Sequence, residues 1–191
     1  MINGSKDVVD LRTTLKDGDQ LSIVTASSEE GREVLRHSAA HIMAQAVQEL
    51  YQNVKVTIGP VVDTGFYYDF DPDKPFALED LPKIEKKMKE IIKRKLPVEK
   101  QVWSAEKAIQ TFNDMGETYK AEIIRDLGEE EVSVYSQGDW FDLCRGPHVQ
   151  HTGQVKAVKV MSLAGAYWRG DQNNKQLQRV YGTAFSMIRK R

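Results

Sequence analysis

Leu35-Arg-His-Ser-Ala-Ala-His-Ile-Met43 lies within a run, residues 30–51, whose apolar side chains recur at a helical period. At about 100° per residue, Leu35, Ala39, Ile42, Met43, Ala46 and Leu50 fall on one stripe. His37, His41, Ala44 and Gln48 fall on another, roughly opposite. A histidine that merely fills a core should share the apolar stripe. The spacing therefore predicts a helix whose His37 and His41, one turn apart, face solvent or a cleft. Ser27, followed three residues later by Glu30, marks the helix start as a capping box.

A second stretch, Cys144-Arg-Gly-Pro-His148, completes the chemistry. Three of the four histidines and the only cysteine fall in these two places. An isolated i, i+4 histidine pair is usually incidental, and a lone cysteine is usually a small buried hydrophobe. The concentration of scarce residues into two motifs favours a site. Residues 140–144 read as a strand running into a Gly-Pro turn. Alternation puts Trp140, Asp142 and Cys144 on one face and Phe141 and Leu143 on the other, which adds a carboxylate. Two His from a helix with Cys and His from a turn are zinc-ligand types. The same groups can polarise water without a metal.

Working outward, residues 8–11 and 20–25 are β-branched runs joined through Lys16-Asp-Gly-Asp19, a pattern that predicts an N-terminal hairpin. Residues 54–58, 61–62 and the aromatic Gly65-Phe-Tyr-Tyr-Asp-Phe70 predict strands. Residues 78–96 predict a helix with Pro82 in its first turn. Its Leu81, Ile84, Met88, Ile91 and Ile92 are buried, and Lys83, Lys86, Lys87, Lys89, Lys93 and Arg94 lie outside. That basic face reads first as a solvated surface and second as a contact for RNA phosphates. A strand over 98–103, helices over 104–115 and 118–127, and a strand over 131–137 follow. Further strands are expected over 156–163, 166–169 and 177–185. Elements mixed without a βαβ rhythm predict an α+β fold. Its sheet should be mainly antiparallel, with the long HxxxH helix packed across it.

The totals set bounds. The chain has 191 residues, 40% hydrophobic and 29% charged, which suits one large domain with or without an appendage. One cysteine excludes an intramolecular disulfide and fits a reducing compartment, so a cytoplasmic location is expected. A net charge of −1 argues against nucleic-acid binding by bulk electrostatics alone. No apolar run approaches membrane-spanning length, so no membrane partner is expected.

Arg36-His-Ser-Ala-Ala-His41, Gly65-Phe-Tyr-Tyr-Asp69, Asp142-Leu-Cys-Arg-Gly-Pro-His148 and Gly165-Ala-Tyr-Trp-Arg-Gly-Asp171 occur in that order. Leu177-Gln-Arg-Val-Tyr-Gly-Thr-Ala184 closes the series. Together they resemble the N-terminal editing region of bacterial threonyl-tRNA synthetases. The HxxxH and CxxxH halves are shared with alanyl-tRNA synthetase editing domains.

The resemblance implies three segments: residues 1–27 as the end of a β-grasp domain, 28–185 as the editing domain, and 186–191 as a basic tail. The family's aminoacylation core, to which this region is covalently linked and which carries ATP binding, is not in the sequence. No ligase activity is therefore expected of this chain alone. What is implied is hydrolysis of seryl-tRNA(Thr), with the tRNA(Thr) acceptor end as partner.

By the same resemblance, His37 would position or activate water with help from Lys120. His41 and His148 would line the pocket and orient the ester. Asp142 would grip the α-ammonium, Tyr68 would bound the amino-acid pocket, and Cys144 would form its wall. No cofactor is required on this reading, although His37, His41, Cys144 and His148 also admit Zn2+. The rivals are a zinc-dependent editor of the alanyl type acting on seryl-tRNA(Ala), and a non-catalytic tRNA-binding module.

Overall fold

Two antiparallel sheets enclose one long helix in a computed structural model that describes residues 1–186. Helix α1 (Glu29–Leu50) begins one residue later than the Ser27 capping box predicts. Ser28 is the cap, its Oγ accepting from the Gly31 N–H at 3.1 Å, while Ser27 is paired with Thr25 instead. Strands β1 (Lys55–Val56), β2 (Val61–Val62) and β3 (Gly65–Asp71) follow. After a short 3-10 turn come α2 (Leu81–Arg94), β4 (Val98–Ser104), α3 (Ala105–Asp114), α4 (Thr118–Leu127), β5 (Glu131–Gln137) and β6 (Trp140–Leu143). The long strands β7 (Ala157–Tyr167) and β8 (Gln176–Phe185) close the fold.

The first sheet has the order β1-β3-β8-β7, with β2 also on β3; the second is β4-β5-β6. Alternation along β3 sends Phe66, Tyr68 and Phe70 into the main core, where they meet Leu35, Ile42 and Met43 of α1 and Ile84, Met88 and Ile91 of α2. A smaller core lies on the other side of the second sheet, where Phe112, Ile124, Phe141 and Leu143 pack together. The alternation read from residues 140–144 therefore holds, with Phe141 and Leu143 on the outer core and Asp142 and Cys144 turned inward.

The middle of α1 is buried on every side, from Ser38 to Val47. The expectation that the histidine stripe faces solvent or a cleft needs correcting, because the second sheet covers it. Gln137 Nε2 donates to Gln45 at 3.0 Å, and Trp140 Nε1 donates to Gln48 at 2.8 Å. Periodicity in one helix cannot register a polar face that is covered by another polar face.

Two further expectations change. Residues 1–25 form no hairpin: the one β-bridge joins Ile2 to Leu21. Polar anchors replace the ladder, with Asp19 accepting from Asn3 and from the Lys16 N–H, each at 2.8 Å. Residues 8–11 instead lie against the start of α1 and the Pro147–Val149 turn, across an apolar cavity of about 360 Å3. Gly165 does not divide two strands: it pairs with Gln178 inside β7, and the irregularity falls at Val160/Ser162. The basic face of α2 is largely neutralised by Asp80, Glu85, Glu49 and Glu90, as a solvated face would be. Residues 187–191 of the expected tail lie outside the described residues. Among the described residues, no helix is long and apolar enough to cross a membrane.

Candidate functional site

The helix and the turn converge. Cys144 Sγ lies 3.2 Å from His37 Nε2 and 3.2 Å from His148 Nε2. The His148 ring centroid is 4.2 Å from those of both His37 and His41. The turn that makes this possible needs Gly146, whose φ is +74° and where a Cβ would stand 2.1 Å from the Tyr135 hydroxyl. Ser38, between the two helix histidines in sequence, fixes the turn from the other side. Its hydroxyl donates to the Val34 carbonyl at 2.9 Å, accepts from the Val149 N–H at 3.0 Å and meets His148 Nδ1 at 3.1 Å.

These contacts link the tautomers. A Ser38 proton given to Val34 makes His148 Nδ1–H the donor to Ser38 and leaves Nε2 as an acceptor. The Pro147 carbonyl accepts from the His37 ring; if that bond is on Nδ1, the His37 Nε2 is an acceptor too. Two imidazole lone pairs then face one thiol, which has a single proton to give.

Burial dominates the electrostatics. His41 and His148 are 4% and 8% exposed, and desolvation holds both well below the usual imidazole pKa. For His41 the fields of His148, His37 and Lys120 add to the effect, and for His148 that of His37 does. His37, half-buried at the edge of the cluster, is also lowered by burial, against the Pro147 carbonyl and Asp142. All three are neutral bases at pH 7. Burial pushes the Cys144 thiol up to about 12, opposed chiefly by the Gly146 N–H at 3.3 Å. A thiol held protonated is a poor nucleophile, which disfavours an acyl-enzyme through Cys144.

Beside the cluster lies a buried ionic group. Asp142 is 1% exposed. Its Oδ2 accepts from the Tyr68 hydroxyl at 2.5 Å, and its Oδ1 is 2.7 Å from Lys120 Nζ. The Lys120 ammonium also donates to Tyr68 Oη at 3.0 Å, and its contact with Oδ1, which accepts no hydrogen bond, is an ion pair. His41 Nε2 is 3.9 Å from Asp142 Oδ2. All seven residues singled out from the sequence thus lie in one connected group. Lys120 contacts Asp142 and Tyr68; no contact joins it to His37.

Other members were missed. Tyr135 packs edge-on to His148, centroids 4.7 Å apart, and pairs with Asp142 in register. That signal was available: strands over 131–137 and 140–144 with a two-residue turn fix the pairing. The buried Glu117 accepts from Gln48 and from the Val56 N–H and ties α1 to α4; nothing in the sequence marks it.

The cluster is suited to a metal ion. Ligand atoms of His37, His41, Cys144 and His148 lie within 4.8 Å of one another, and the buried His41 Nδ1 has no hydrogen-bond partner. Nitrogen and thiolate donors are what Zn2+ takes, and Ser38 and Pro147 supply the outer hydrogen bonds that orient such ligands.

Residues 132–181 match the family described as the threonyl and alanyl tRNA synthetase second additional domain. A threonine–tRNA ligase of Bdellovibrio bacteriovorus is 57% identical over 189 residues, covering 97% of this chain and 29% of that protein. Those of Pelobacter propionicus and Geobacter sp. are each 56% identical over 94% of this chain and 28% of their own length. The chain therefore spans less than a third of the length of these curated relatives. Along nearly its whole length, it is similar to the editing region of bacterial threonyl-tRNA synthetases, the family its motifs resemble.

Proposed function

We propose that residues 28–185 hydrolyse the ester bond of seryl-tRNA(Thr). The observation that carries the reading is the meeting of neutral imidazoles on Cys144 beside a carboxylate already held by Lys120 and Tyr68. A synthetic site rejects an amino acid smaller by one methyl by only ~1–3 kcal/mol, so fidelity needs a second site that admits the smaller one. In this reading, the methyl of threonine is excluded by pocket shape at Tyr68 and Cys144.

His37 takes a proton from water as the water oxygen attacks the ester carbonyl. The bond from the carbonyl carbon to the ribose oxygen then breaks, and the proton passes to that oxygen. The products are serine and tRNA(Thr). His41 and His148 line the pocket and orient the ester. Asp142 receives the α-ammonium on Oδ2, with Lys120 balancing its charge from Oδ1. Lys120 thus serves His37 through the carboxylate rather than by contact. Single-turnover deacylation by the purified chain should remove serine and spare threonyl-tRNA(Thr). Similar rates on both esters would defeat the selectivity, and no hydrolysis of either would defeat the activity.

The unpartnered His41 Nδ1 and the four clustered ligand atoms favour a second reading, a zinc-dependent editor of the alanyl type. His37, His41, Cys144 and His148 would hold the ion, whose chemistry would be Lewis-acid activation of water. Metal analysis and deacylation after chelation separate the two. Stoichiometric zinc with chelator-sensitive hydrolysis of seryl-tRNA(Ala) supports the second; metal-independent hydrolysis of seryl-tRNA(Thr) supports the first.

A further inference from the structure

We propose that the connection between β7 and β8 is a positioning device for Lys120: Trp168 and Arg169 grip the outer face of α4 and so hold the Lys120 ammonium against Asp142 and Tyr68. The structural half of this stands on geometry alone; its importance for turnover rests on the hydrolase reading above.

Helix α4 is only ten residues long, and Lys120, Ala121 and Ile124 form its buried side. Tyr119, Glu122 and Asp126, at i, i+3 and i+7, share another face. Trp168 Nε1 donates to Glu122 Oε1 at 3.2 Å. Arg169 pairs with Glu122 at 3.0 Å and also with Asp126, its guanidinium 5.3 Å from the indole centroid. The Tyr119 ring stands edge-on to Trp168 with centroids 4.9 Å apart, and its hydroxyl donates to Asp71 of β3 at 2.8 Å. The residues gripped flank Lys120 on the same helix.

The backbone supplies an independent observation. Arg169 has φ +57°, a left-handed conformation that glycine adopts freely and arginine does not. An arginine kept there implies a use for its guanidinium, and the contacts it makes are with α4 and Trp168. Exposed ion pairs add little to stability. Arg169, Glu122 and Asp126 have side chains 44%, 46% and 53% exposed, so the expected return is orientation rather than melting temperature. The motif Gly165-Ala-Tyr-Trp-Arg-Gly-Asp171 thereby gains a role, although none of its side chains contacts the histidine cluster.

The test is Arg169→Gly in the full chain, which removes the guanidinium and relieves the backbone together. Reductive methylation mapped by mass spectrometry reads the accessibility of Lys120, which is 2% exposed, against the exposed Lys93 as internal reference. Lys120 methylation should rise several-fold while Lys93 is unchanged, and Arg169→Lys should restore part of the protection. In deacylation of seryl-tRNA(Thr), Arg169→Gly should slow turnover, and Lys120→Ala with Arg169→Gly should be no slower than Lys120→Ala alone.

Unchanged Lys120 protection in folded Arg169→Gly overturns the grip. Multiplicative losses in the double variant, or lost protection with wild-type turnover, overturn its role in the reaction. If the wild-type chain hydrolyses nothing, the hydrolase reading fails and the methylation result alone decides the grip. Should Arg169→Gly not fold, Trp168→Phe, which loses the Nε1–H but keeps a ring, replaces it in the same comparison.

Discussion

Lys120→Met should destabilise the protein far more than loss of a typical lysine, because Lys120 and Asp142 are a buried pair. Their side chains are 3% and 1% exposed and their charged atoms 2.7 Å apart. Removing one partner leaves an uncompensated charge in the interior, at a cost of about 3–5 kcal/mol. Methionine keeps most of the stem's volume, so a cavity contributes little. In a chain of this size, about 2–4 °C of Tm accompanies each kcal/mol, so the midpoint should fall by roughly 6–20 °C.

Lys120→Met with Asp142→Asn removes both charges and keeps an amide for Tyr68 to meet. It should recover much of that loss and yet fail to hydrolyse seryl-tRNA(Thr), since the carboxylate for the α-ammonium is gone. Urea unfolding of the wild type, both single variants and the double variant closes the cycle. A Lys120→Met cost below about 1 kcal/mol, the range of exposed pairs, would refute the argument, as would a double variant no more stable than the single.

Three further outcomes are expected. His37→Ala, at the half-buried edge of the cluster, should leave circular dichroism unchanged while single-turnover deacylation falls by roughly 10²–10⁴-fold; an unchanged rate removes His37 from the chemistry. Stability should fall as pH drops below about 6.5, the unfolded imidazole value, because the unfolded chain takes up protons that buried His37, His41 and His148 refuse. It should also fall as pH rises from about 9 towards 12, where only the unfolded Cys144 ionises; denaturant midpoints against pH check both arms. Gly146→Ala should displace the turn that carries His148, given its positive φ and the 2.1 Å approach to Tyr135, and lower both Tm and turnover; a fully active, equally stable variant would contradict it.

The sequence by itself determined the pieces that depend on local periodicity. The HxxxH helix, the alternation that separates Asp142 and Cys144 from Phe141 and Leu143, and the α+β class all follow from which residues recur at 3.6 or at 2. The concentration of His and Cys into two motifs marks the candidate site without any geometry.

Only the tertiary structure decided what covers what. Because α1 is enclosed by two sheets, His37 and Gln48 on its polar stripe meet polar partners rather than water, and His41 is packed against His148 and Trp140. The lowered pKa of both imidazoles follows from that burial and cannot be read from spacing. The same holds for Lys120, whose partners Asp142 and Tyr68 lie 22 and 52 residues away along the chain. Residues 8–11 and 20–25 carry a hairpin's local signal but form no ladder. A two-stranded ladder is marginal in water, and here both runs line the cavity beside the start of α1 and the Pro147 turn instead.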